Sequence, residues 1–297
     1  MEQKRKASVF ILLGQSNAVG HGIPMGEEDI ISVPMKHVFG LSRTENQSFD
    51  IEQLSFSGYL SCGMNLGETQ DNTYSLANCL AKEWEKAAEQ NKNLSDLYII
   101  QIAVGAQGIG PGYMWNPSYP QTIIPGELGI VDISLFPLTQ RVLSLVDSAF
   151  DRIGIEYDII GVHWRGGEND TMEAPEVALP MLRPLYIQLF DMLRSALGKM
   201  PPIVLYEMEF GMRNYERTDI DTINMKNTSC AINGMFHQFA HDYSEISTFS
   251  PFELSLFRAD EPQTYGLFLP SDGIHYSAEA NREIAKLILQ KEIDRSY

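Results

Sequence analysis

The chain has 297 residues, long for one average domain but within reach of a single elaborated α/β domain. Its 44% hydrophobic and 21% charged residues exclude a disordered polymer. With 39 acidic against 22 basic residues the formal charge is −17, and only Lys4-Arg5-Lys6 concentrates positive charge, which argues against a nucleic-acid partner.

The first predicted element is a strand over Ser8 to Leu13. Its apolar run is too short for a signal peptide and leads directly into a glycine-flanked polar motif. No stretch is long enough to span a membrane, so no membrane partner is expected. The expected compartment is cytoplasmic for the chain as it stands, or secreted if a leader has been removed. Gly20 to Gln70 reads as an irregular, glycine- and serine-rich loop. Leu76, Leu80, Trp84, Ala87 and Ala88 then share one face of a helix, followed by a strand over Leu97 to Val104. A second irregular loop covers Gly108 to Leu135. Beyond it, Val142, Leu145, Val146, Ala149 and Ile153 predict a helix, and Tyr157 to His163 a strand.

A long helix follows over Val177 to Leu197, its first turns carrying Pro180 and Pro184, then a strand over Pro202 to Met208. The last helix starts after Ser277, which has the chemistry of an N-cap. Strands apolar on both faces, alternating with amphipathic helices, predict a three-layer α/β/α sandwich with a central, mostly parallel sheet, flavodoxin-like, in one domain over 1–297. In such sheets a site lies beyond the carboxyl ends of the strands, where the long loops would wall it.

Four segments carry candidate chemistry. In Gly14-Gln15-Ser16-Asn17, a serine just after a buried strand and beside flexible glycines can present its hydroxyl with backbone N–H groups alongside. In Ser271-Asp272-Gly273-Ile274-His275, one short turn supplies both an imidazole base and a carboxylate to hold it. In His163-Trp164-Arg165-Gly166-Gly167-Glu168-Asn169-Asp170, a strand breaks into a polar turn at the same sheet edge. His163 itself, inside a strand, reads as a hydrogen-bonded core histidine. In Val104-Gly105-Ala106-Gln107, small residues let backbone N–H groups approach developing charge.

Cys62, Cys79 and Cys230 are too few for a disulfide framework, and at most one bridge could form. Cys79 falls on the apolar helix face as a buried thiol. His237 and His241 stand four apart on a helix without an evident third ligand, so no metal and no cofactor are expected.

Taken together and in this order, the segments resemble the SGNH hydrolases, in particular their carbohydrate-esterase branch, which includes sialate O-acetylesterases and acetylxylan esterases. The resemblance follows Gly14 to Asn17, Val104 to Gln107, the Trp-x-x-Gly-Glu-x-Asp element at Trp164 to Asp170, and Asp-x-x-His at Asp272 to His275. It implies that Ser16 attacks an acyl carbon, His275 acts as base and Asp272 orients it. It also implies that the N–H groups of Ser16 and Gly105 donate to the oxyanion. The branch usually has a glutamine donor where this chain has Gly166, so either Arg165, Gln107 or the Gly166 N–H stands in or activity is weak. Gln15, Asn17 and Glu168 complete the expected supporting set, and Tyr59, Tyr113, Trp115 and Tyr119 offer aromatic faces to a sugar. The expected function is removal of O-acetyl groups from a carbohydrate, either a sialic acid or a plant or bacterial polysaccharide. The alternatives are a carbohydrate-binding protein of the same fold without turnover, and an SGNH lipase or thioesterase.

Overall fold

A parallel strand that is apolar on both faces needs a helical layer on each side. In the computed structural model β1 (Lys6–Gly14) meets this demand: Val9, Ile11 and Leu13 join one hydrophobic cluster while Phe10 and Leu12 join another. The structure describes residues 6–42, 52–61, 64–68, 73–120, 134–209, 220–256, 266–269 and 273–295.

The remaining strands are β2 (Val38–Leu41), β3 (Phe56–Gly58), β4 (Asp96–Ala103), β5 (Glu156–Arg165), β6 (Ile203–Tyr206) and β7 (Ile246–Phe249). They form one sheet in the order β3-β2-β4-β1-β5-β6-β7. Only the β2–β3 pair is antiparallel. The mostly parallel α/β sheet expected from the sequence is thus present. Three strands beyond the sequence reading extend it. β2 and β3 lie within the segment read as irregular, and they and β7 are too short to show a period.

The helices are α1 (Ser16–Val19), α2 (Leu76–Gln90), α3 (Leu135–Ser144), α4 (Val146–Ile153), α5 (Pro175–Ala196), α6 (Ile220–Asp242) and α7 (Ala278–Arg295). The apolar faces of α2 and α7 cover one side of the sheet, with Leu80, Trp84, Ile284 and Leu289 buried there. Residues of α3 to α6, among them Val142, Leu189 and Phe236, cover the other. The single helix expected around Val142 to Ile153 is two, because Leu145 flattens to ψ −4° and caps α3 just before α4 begins. Pro180 and Pro184 lie inside α5 without ending it. Ser277 caps the start of α7, its Oγ accepting the Ala280 N–H at 3.0 Å.

Cys79 is a buried free thiol, its pKa pushed up to about 12 by burial. Cys230 is exposed and free, and Cys62 lies outside the described residues. His237 pairs with Glu207 at 3.0 Å and His241 with Asp242 at 3.2 Å. No described helix is long and apolar enough to cross a membrane.

Candidate active site

The ends of β1, β4 and β5 are adjacent, so the loops that leave them meet at one edge of the sheet. Gly14 closes β1 with φ +139°, and an added Cβ would stand 2.0 Å from the Arg165 carbonyl oxygen. Only glycine fits between the two strand ends. The chain then turns at Gln15, whose N–H donates to that same carbonyl at 2.9 Å, and enters α1 at Ser16. A helix's first N–H groups have no acceptor within the helix, so the Ser16 N–H starts out available for charge beside its own hydroxyl. Gly20, at φ +93°, ends this single turn.

Asn17 ties the turn that begins at Ser16 to the His275 segment. Its Oδ1 accepts the Tyr276 N–H at 3.0 Å, and its Nδ2 donates to the Ile274 carbonyl at 3.2 Å and to Glu168 Oε1 at 2.7 Å. Two of these bonds bracket His275. The His275 segment is a small hairpin: Leu269 N–H donates to the His275 carbonyl at 2.7 Å, Ser277 N–H to the Leu267 carbonyl at 2.8 Å, and Phe268 pairs with Tyr276. Gly273, at φ +67°, makes the turn. Asp272 lies outside the described residues.

Beyond β5, the Gly167 N–H reaches Gln15 Oε1 at 3.4 Å, while Gln15 Nε2 donates to Asn169 Oδ1 at 3.0 Å. Tyr113 holds the Asn169 carbonyl from the other side at 3.1 Å. Asn169 therefore has its amide oxygen occupied and its amide nitrogen left as a donor next to the serine turn. The sequence reading gave it no role. The available signal was a primary amide in the turn after β5, beside a Gln15 that needs an amide partner. Asp170 is buried and accepts the N–H groups of Ile109 and Gly110 at 3.0 and 2.8 Å, fixing the loop after β4. Burial raises its pKa to about 6 despite those bonds.

Gly105 is placed where expected, but its N–H donates to Glu68 Oε2 at 2.7 Å. The other oxygen of Glu68 meets His21 Nε2 at 3.0 Å. The His21 and His275 rings stand 6.2 Å apart, centroid to centroid. Ala106, next in the chain, takes φ +56°, a strained position for a residue with a side chain.

Several expected contacts fall elsewhere. Trp115 is fully buried; it donates to the Gly14 carbonyl at 2.9 Å and packs edge-on against Trp164, so it braces β1 and offers no face to a sugar. Tyr59 is likewise buried, and Tyr119 packs against the core. Arg165, 1% exposed, turns under the His275 hairpin: its Nη1 donates to Asn281 Oδ1 at 2.6 Å and its guanidinium stacks on Tyr276 at 4.3 Å. It is no substitute oxyanion donor, because β5 points its side chain into the α7 layer. Gln107 Oε1 accepts the Met114 N–H at 3.0 Å and braces its own loop. Gly166 has a tight seat, with Trp164 ring carbon 3.3 Å from where a Cβ would stand. His163 is buried against Phe10 and bonded to Tyr206 at 2.9 Å, and burial drives its pKa down to about 3, so it stays neutral.

No protein-family model and no curated protein sequence matches the chain. Among solved structures, NanS aligns with a TM-score of 0.60 at 16% identity, over 99% of this chain and 100% of that one. A protein from Arabidopsis thaliana aligns with a TM-score of 0.57 at 16% identity, over 98% and 99%. A carbohydrate acetylesterase from Xanthomonas citri aligns with a TM-score of 0.49 at 10% identity, over 94% and 54%. The chain shares the α/β fold of NanS and the Arabidopsis protein along almost its whole length.

Proposed function

We propose that the chain is a single-domain serine esterase of the SGNH-hydrolase type that removes O-acetyl groups from carbohydrates. The observation that carries this reading is the Asn17 clamp, which brackets His275 and holds its hairpin against the turn that begins at Ser16. A serine hydroxyl is a weak nucleophile and needs a base held next to it by the fold.

Ser16 Oγ attacks the acetyl carbon while His275 takes the hydroxyl proton. The carbonyl oxygen gains the charge and then returns it as the sugar oxygen leaves, protonated by His275. Water repeats the sequence on the acyl-enzyme and releases acetate. Asp272, within the same turn by sequence, would hold the imidazole. The oxyanion falls to the Ser16 N–H, the Asn169 amide and the Gly166 N–H, because Gly105 is engaged by Glu68. That engagement is also the one feature favouring a carbohydrate binder without turnover. Hydrolysis of p-nitrophenyl acetate by the wild type and by Ser16→Ala separates the two: the esterase reading predicts a loss of at least about 1,000-fold. Equal rates would rule out the serine mechanism.

A further inference from the structure

Asp170 carries no step of the acyl transfer, yet its carboxylate has a built seat. Its side chain is buried, and Oδ2 accepts the Ile109 N–H at 3.0 Å while Oδ1 accepts the Gly110 N–H at 2.8 Å. Two successive backbone N–H groups aimed at one carboxylate make an anion-binding concavity. The loop closes tightly on it: a Cβ added at Gly108 would stand 2.3 Å from Oδ1, and one at Gly110 2.9 Å. The loop is braced on its own side as well, because Asn116 Nδ2 donates to the Ile109 carbonyl at 3.0 Å and the Tyr113 N–H to the Gly110 carbonyl at 3.3 Å. With a pKa of about 6, Asp170 is ionised at neutral pH and serves both donors.

The seat bears on Asn169, the residue before it. Tyr113, from the same loop, donates its hydroxyl to the Asn169 carbonyl at 3.1 Å, and the Asp170 N–H closes the turn on the Gly167 carbonyl at 2.9 Å. The loop after β4 therefore holds the backbone of Asn169, while Gln15 holds its side-chain oxygen. Gln15 alone leaves that backbone free to shift, and a displacement of about 1 Å is enough to spoil a catalytic contact.

We infer that Asp170 is a positioning residue, whose bonds to the loop after β4 hold the Asn169 amide where the oxyanion forms. This rests on the esterase reading above. Asp170 acts through Asn169 and not on the substrate, so its loss appears in kcat rather than KM, and only while Asn169 is present.

The test measures kcat and KM for p-nitrophenyl acetate at neutral pH in the wild type, Asp170→Asn, Asn169→Ala and the double variant, with urea unfolding to establish that each is folded. Asp170→Asn keeps the shape of the side chain but turns an NH2 group toward one of the two backbone donors. Its kcat falls by about tenfold or more, with KM changed by less than about twofold. In the Asn169→Ala background the same substitution lowers kcat by less than about twofold, because the donor it places is already gone. Should Asp170→Asn fail to fold, Gly110→Ala displaces the same carboxylate from the loop side and goes through the same cycle. Equal losses in the two backgrounds, the mark of a merely structural role, overturn the inference and leave the esterase reading standing. So does an unchanged kcat in Asp170→Asn or in Asn169→Ala. A wild type that hydrolyses no acetyl ester overturns both.

Discussion

Gln15 Nε2 donates to Asn169 Oδ1 at 3.0 Å, so the amide oxygen of Asn169 is engaged by Gln15 and its nitrogen is the end left to donate. If the nitrogen serves the oxyanion, Asn169→Ala lowers kcat by about 100- to 1,000-fold with little change in KM, the cost typical of one such donor. Steady-state kinetics on an acetyl ester checks this, and an unchanged kcat would remove Asn169 from the site. At this scale the sequence showed which residues cluster, but not where their side chains point. Arg165 and Trp115 sit in the right segments and are turned into the core, because strand parity and loop packing set direction. Glu68 gave no signal, since it meets Gly105 and His21 only through the fold.

The elements that matter most are α1 and the His275 hairpin, joined through Asn17. Asn17→Ala removes three hydrogen bonds, two of them to hairpin backbone, and leaves a buried N–H and carbonyl without that partner. The expected result is a loss of about 1–3 kcal/mol in urea unfolding, with a fall in kcat of at least about tenfold, because the imidazole is less well held. A variant with full stability and full kcat would show that the clamp is not what places His275. The alternation of the long strands and helices was legible because β1, β4, β5, α2 and α5 carry their period over many residues. The short strands β2, β3 and β7 were not, and the break between α3 and α4 depends on one flattened residue, Leu145.

Across the whole molecule, the buried imidazole of His163 couples stability to acid. Its folded pKa, pushed down to about 3 by burial and then by the Arg165 and Lys291 charges, lies below the unfolded value of 6.5. Between the two, the unfolded chain binds a proton that the folded one does not, so stability is full above pH 6.5 and is lost as pH falls toward 3. One such group contributes at most about 1.4 kcal/mol per pH unit. Urea unfolding should show the wild type losing about 1–2 kcal/mol more than His163→Phe between pH 7 and pH 5. Parallel losses would mean that His163 is protonated in the folded state.

The proposed mechanism requires Ser16 to be a nucleophile activated by the fold. Treating the intact protein with a fluorophosphonate and locating the adduct by mass spectrometry tests it most directly. The expected result is stoichiometric labelling at Ser16, abolished in His275→Ala. No adduct, or an adduct on another residue, would contradict it.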